Sequence, residues 1–126
     1  MTKIVVNGCF GGFGLSDAAI SRYAEIAGIP LYSYQIDGWT SWYLVPRDVY
    51  DALDRDDRNE VYFSADALPR TDPALVQVVE ELGPAANGNF AELYIVELEP
   101  GTRYRIDEYD GTESVMTIED YEWSIA

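Results

Sequence analysis

The residues best placed to do chemistry are Gly8-Cys9-Phe10-Gly11-Gly12-Phe13-Gly14, which lie between an apolar run, Ile4-Val5-Val6, and a helical pattern that begins after Ser16. A glycine-rich turn from strand to helix can aim backbone N–H groups and a helix N-terminus at an anion. Two features argue against a phosphate site here. The glycine spacing is not the dinucleotide fingerprint, and no lysine follows the last glycine as a P-loop requires. In addition, Asp17 at the first helical position would repel phosphate. Cys9 is the only thiol, and without a histidine in the chain its thiolate would need a helix N-terminus or an arginine for activation. As a small buried hydrophobe it needs neither. The loop therefore reads in three ways. It is a tight connection that lets Phe10 and Phe13 fold into the core, a protein-contact loop anchored by those rings, or the ligand site of a small nucleotide-binding protein or enzyme.

The absence of histidine excludes Ser-His-Asp and Cys-His catalysis. It also excludes histidine-containing zinc sites, and a lone cysteine excludes the Cys₄ kind. No residue is assigned a catalytic, cofactor-binding or metal-binding role, and no cofactor is expected.

Carboxylates are the second chemical resource. The chain carries 23 acids and 8 bases, a net charge of −15. Residues 1–50 contribute four acids and three bases, so residues 51–126 carry −14 of that total. From Asp107 onward there are seven acids and no base after Arg105. Glu97 and Glu99 share one face by parity, and carboxylates two residues apart on a strand lie about 6.6–6.8 Å apart. Such rows can imitate a phosphate ladder and compete for a basic groove. They also serve as a solvated face that blocks edge-to-edge sheet pairing. Glu97, Glu99, Asp107, Glu108, Asp110 and Glu113, with Tyr109 and Trp123 beside them, are the expected partner-binding residues. No EF-hand spacing is present, and carboxylates are so frequent that a pair suited to glycosidic chemistry carries no information.

Two further groups position these candidates. Tyr32, Tyr34, Trp39, Trp42 and Tyr43 cluster on a strand pair, where one face packs inward and the other can present aromatic anchors. In Arg70-Thr71-Asp72-Pro73, Thr71 and Asp72 read as helix capping, and Arg70 is expected to pair with a carboxylate of the acidic half.

The supporting elements follow from local signals. Ser16 caps a helix over 17–27, stapled by Leu15 and Ile20 and stopped by Gly28. Residues 31–36 and 39–45 form a hairpin about Asp37-Gly38. Pro46 opens a short helical segment through Leu53, residues 54–60 read as a charged loop, and 61–63 as a short strand. Asp72-Pro73 starts a helix whose face is Leu75, Val76, Val78, Val79 and Leu82, ended by Gly83-Pro84. Residues 93–98 read as a strand. Residues 103–109 and 112–118 make a second hairpin about Asp110-Gly111. The expected fold is a single α+β domain, residues 1–126, with a mostly antiparallel sheet, two main helices and two β-hairpins.

Composition sets the outer bounds. The 126 residues are 48% hydrophobic and 13% aromatic, too apolar for a disordered acidic tail. The negative charge repels phosphates, so direct nucleic-acid binding is not expected. No run approaches the ~18 apolar residues of a membrane span, and the opening segment does not read as a signal peptide. With one cysteine, a cytoplasmic setting is expected.

The segments IVVNGCFGGFGLS (residues 4–16), RTDPALVQVVEELG (residues 70–83), 95–98 and 106–113 together resemble a family of short proteins of tailed bacteriophages and prophages. Residues 4–16, IVVNGCFGGFGLS, are similar to the family's opening. Residues 70–83, RTDPALVQVVEELG, are similar to its central helix, and 95–98 with 106–113 to its closing hairpin. The likeness spans most of the chain and is weakest over residues 31–60. It implies a phage setting and host cytoplasm, and no functional residue is carried over from it. By analogy with small acidic phage proteins that block host defences, anti-CRISPR proteins among them, the leading expectation is a non-enzymatic inhibitor. Its acidic later half would dock on a basic host protein or ribonucleoprotein. A nucleotide-binding protein or enzyme, and a phage structural or assembly component, are the alternatives.

Overall fold

The computed structural model describes residues 1–36 and 38–117. In chain order the elements are β1 (Thr2–Asn7), α1 (Asp17–Ala27), β2 (Tyr32–Ile36), β3 (Trp39–Tyr43), α2 (Arg47–Ala52), α3 (Arg55–Glu60), a 3₁₀ turn (Ala65–Ala67), α4 (Pro73–Leu82), a second 3₁₀ turn (Gly83–Ala86), β4 (Leu93–Leu98), β5 (Tyr104–Tyr109) and β6 (Thr112–Thr117). The α+β class expected from the sequence is what the chain adopts. Among the described residues its two longer helices are α1 and α4, and the strand pairs are antiparallel.

Among the described residues the strands do not merge into one sheet. β1 pairs with β4, β2 with β3, and β5 with β6, as three separate two-stranded units. An isolated hairpin is marginal in water, so each needs packing from outside its own ladder. β1–β4 obtains it from α1 and α4. Val5, Ala19, Leu75 and Val78 are fully buried in that cluster, with Ile20, Tyr23, Val76 and Val79 around them. Helix α1 begins as expected: the Ser16 side chain accepts the Ala19 N–H at 3.1 Å. Gly28, in the left-handed region, closes it. At the start of α4, Asp72 accepts the Ala74 N–H at 2.9 Å and a hydrogen bond from the Tyr23 hydroxyl at 2.7 Å. That second bond ties the two helices together. Tyr23 is pushed up to about 12, first by burial and then by its bond to Asp72.

Two local expectations are corrected. Residues 55–60 form α3 rather than a charged loop. Asp54 caps it by accepting the Asp57 N–H at 3.0 Å, and the acids Asp56 and Asp57 precede Arg58 in the order that suits a helix dipole. Residues 61–63 form no strand: Tyr62 makes only an isolated bridge to Tyr43. Among the described residues, no helix is long and apolar enough to cross a membrane.

Candidate protein-docking site

The site is organised by a residue that carries no chemistry of its own. Asn7 ends β1 and is fully buried. Its amide nitrogen donates to the carbonyl oxygens of Cys9 and Gly111, both at 2.8 Å. Its amide oxygen accepts the N–H of Cys9 at 3.2 Å and of Glu92 at 2.8 Å. All four hydrogen-bonding positions of the side chain are thereby filled. One amide joins the glycine loop, the segment entering β4 and the turn of the β5–β6 hairpin.

Those three segments meet backbone to backbone, which accounts for several glycines. A Cβ on Gly11 would lie 1.9 Å from the Phe90 Cβ, and one on Gly111 would lie 2.3 Å from the Phe10 carbonyl oxygen. A Cβ on Gly88 would lie 2.9 Å from the Gly14 carbonyl carbon. Asp110 and Gly111 both have positive φ, 50° and 91°, as a two-residue hairpin turn demands. The glycine loop is thus occupied by its own neighbours. The helix end that follows it is served by Ser16, whose hydroxyl also donates to the Ala85 carbonyl oxygen at 2.6 Å.

Clamping the backbones together leaves three rings outside. Phe10, Phe90 and Tyr109 are 65%, 73% and 77% exposed at this one end of the molecule. Phe13 instead packs against the core, with the Arg70 guanidinium 3.6 Å from its ring centre. The expectation that both loop phenylalanines fold inward therefore holds for Phe13 and fails for Phe10. The Phe10 backbone is held against Gly111, and its ring is left in solvent. Glu92, Glu108 and Asp110, neighbours of these aromatic residues in sequence, are also exposed, and none of them forms an ion pair among the described residues. Glu108 is steadied by the Gly111 N–H, which donates to its carboxylate at 3.2 Å.

The acids named from the sequence do not form one row. Glu108, Tyr109 and Asp110 lie at the tip. Glu97 pairs in register with Lys3 near the opposite end of β4, with the Lys3 ammonium 4.0 Å from its carboxylate, and Glu99 lies beyond it. The six-residue length of β4 puts about 17 Å between the two ends. Asp107 is held by Arg105 at 2.7 Å. Glu113 is turned inward onto Arg70 and is withdrawn from the surface. Trp123 lies outside the described residues.

Most of the hairpin aromatics serve packing. Tyr34 stacks on Tyr43, Tyr50 tilts against both, Tyr62 meets Tyr43 edge-on, and the Tyr34 hydroxyl donates to the Val45 carbonyl oxygen. Arg58 lies over the Tyr50 ring at 4.6 Å and donates to the carbonyl oxygens of Tyr50 and Asp51. Trp39 at the hairpin end stands out, 72% exposed.

Asn7, Phe90 and Glu92 were not legible as site residues. The one signal for Asn7 is a polar residue closing a β-branched run immediately before glycine. Nothing near Phe90 distinguishes it from a core residue. Among the described residues, no cluster of histidine, cysteine, aspartate or glutamate is placed to hold a metal ion. Comparison with known proteins finds no matching family model, no matching curated protein and no matching solved structure.

Proposed function

We propose that this chain is a non-enzymatic docking protein that engages a basic surface through its aromatic, acid-rimmed tip. The observation that carries this reading is the exposure of Phe10, Phe90 and Tyr109 at the end where the glycine loop, the entry to β4 and the β5–β6 turn meet, with exposed Glu92, Glu108 and Asp110 beside them in sequence. Aromatic side chains supply most of the desolvation energy at protein interfaces, and rim charges steer encounter and reject wrong partners. A net charge of −15 gives that steering its sign. In the phage setting implied by the family likeness, the partner is a basic protein or ribonucleoprotein of a host nucleic-acid-handling defence complex, and docking inhibits it.

The geometry of the glycine loop supports docking over a nucleotide site. Space next to Gly11 is filled by Phe90, and Ser16 already accepts the Ala19 N–H at the helix end. Affinity purification from the host bacterium, followed by mass spectrometry, tests the proposal. A partner with a basic surface, released by raising salt, supports it. Recovery of no basic partner counts against it, as does capture indifferent to salt. Thermal stabilisation by members of a nucleotide panel would favour the alternative.

A further inference from the structure

Beside the tip a cleft of about 690 Å³ opens between the N-terminal end of α1, the β2–β3 hairpin and residues 62–66. Phe13, Trp39, Trp42, Tyr62 and Phe63 supply its aromatic lining, and among the described residues Asp17 and Asp66 are the charged ones that line it. Both aspartates are exposed, and among the described residues no lysine or arginine lines the cleft. The Trp42 indole N–H donates to one Asp17 oxygen at 2.9 Å, which fixes that carboxylate at the ring edge. Trp39 and Tyr62 stay 72% and 49% exposed, although burying aromatic surface is favourable.

Aromatic faces next to fixed carboxylates attract an organic cation twice over, through the ring quadrupole and through charge-assisted hydrogen bonds. The positive end of α1 opposes this with about half a charge. Asp17 and Asp66 together outweigh it. A guanidinium suits the site better than an ammonium, because it is planar, weakly hydrated, stacks on indole and forks a carboxylate. The wall residue Asn89 directly precedes Phe90 of the tip, so one extended chain can cover both features.

We propose that this cleft receives the guanidinium of an arginine side chain presented by the polypeptide that docks on the tip. The polypeptide source rests on the docking role proposed above, whereas the guanidinium chemistry rests on the cleft alone. The full chain, labelled for NMR, is titrated with Nα-acetyl-arginine amide, its lysine counterpart and its neutral isostere Nα-acetyl-citrulline amide. The indole N–H signals of Trp39 and Trp42 are followed, with Trp123→Phe used to assign the third. The expected result is saturable shifts with the arginine amide at about 1–10 mM, about fivefold weaker binding of the lysine amide, and no saturable response to the citrulline amide. Asp66→Asn and Asp17→Asn should each weaken the arginine response about fivefold. Asp66 caps no long helix, so its variant keeps the test valid if loss of Asp17 disturbs α1.

Absence of a saturable shift up to about 50 mM arginine amide would overturn the site, and so would an equal response to citrulline amide. An extended peptide carrying one arginine among apolar residues should bind at least about tenfold tighter than the amide and also shift Phe90 and Tyr109. If it binds no tighter, the polypeptide source is wrong. None of these titrations uses a host partner. Their failure beside a successful host capture removes the cleft alone, and their success beside a failed capture removes the docking role alone.

Discussion

Arg70 and Glu113 form an ion pair of 2.6 Å with side chains only 16% and 10% exposed. The same Glu113 oxygen accepts the Asn7 backbone N–H at 3.0 Å, and the guanidinium also covers the Phe13 ring. Four stretches of chain meet there: the end of β1, the glycine loop, the approach to α4 and the β5–β6 hairpin. Among the described residues β5–β6 pairs with no other strand, so this ion pair, the Asn7–Gly111 bond and the Tyr94 hydroxyl, which donates to the Glu113 carbonyl oxygen at 3.1 Å, attach it to the body.

Removing one partner of a buried pair leaves a charge without compensation. Glu113→Ala is expected to cost about 3–5 kcal/mol. Glu108→Ala, on an exposed acid one strand away, should change stability by no more than about 0.5 kcal/mol. Denaturant unfolding of the two variants checks this. Equal effects would mean that the hairpin is not held through Glu113.

The meeting of backbones makes the glycines unequal. Gly11→Ala and Gly111→Ala each place a methyl group 2.3 Å from a carbonyl oxygen of another segment, that of Phe90 and of Phe10, and Gly111 adds a positive φ. Each should destabilise by more than the ordinary ~1 kcal/mol expected for an alanine forced to positive φ. Gly12→Ala faces open space and should cost only the φ term. Thermal melts of the three variants, with the order Gly12 least affected, test the clamp.

At the tip, stability and binding should separate. Phe90→Ala and Tyr109→Ala remove rings that are already in solvent, so neither should shift unfolding by more than about 0.5 kcal/mol. If the proposed docking role holds, each should nevertheless weaken capture of the proposed partner at least tenfold, about 1.4 kcal/mol. The readout is the retained partner at fixed salt. Undiminished capture by the double variant would rule out the tip.

Two titrating groups set opposite limits on stability. The Arg22 guanidinium, donating to Glu81 at 2.8 Å and helped by Gln77, holds the Glu81 carboxyl down to about 2. Its contribution is present above the ordinary carboxyl range and is lost as pH falls toward 2. Glu81→Gln should flatten the acid limb slightly, since the pair is surface-exposed and screened. Tyr23 keeps its proton to about 12 in the fold, while the unfolded chain loses it near 10. Its contribution is therefore complete below pH 10 and lost as pH rises through 12. Tyr23→Phe should lower stability at neutral pH by about 1.5 kcal/mol and remove that alkaline dependence. Chemical denaturation across pH follows both.

Much of the local structure was legible because its causes are local. Ser16, Gly28, Asp72-Pro73 and Asp110-Gly111 each satisfy or redirect backbone groups within a few residues, and the helices and turns they mark lie where expected. Residues 55–60 were misread because their charges looked like a solvated loop, although Asp54 and the order of signs around Arg58 were visible capping signals. The expectation that Arg70 pairs with a carboxylate of the acidic half could be stated from charge alone, but not that the carboxylate would be Glu113, 43 residues away.

The sequence by itself determined the charge and its sign, the absence of histidine chemistry, the antiparallel hairpins and the two capped helices, since composition and nearest-neighbour hydrogen bonding depend on no distant contact. Only the tertiary structure decided which acids face outward. Burial is a property of what lies across the gap: Arg70 drew Glu113 inward, Arg105 occupied Asp107, and about 17 Å of strand separated Glu97 from the tip. The same long-range contacts, gathered by the Asn7 amide, brought the segments that carry Phe10, Phe90 and Tyr109 from distant parts of the chain to one end of the molecule, with all three rings exposed.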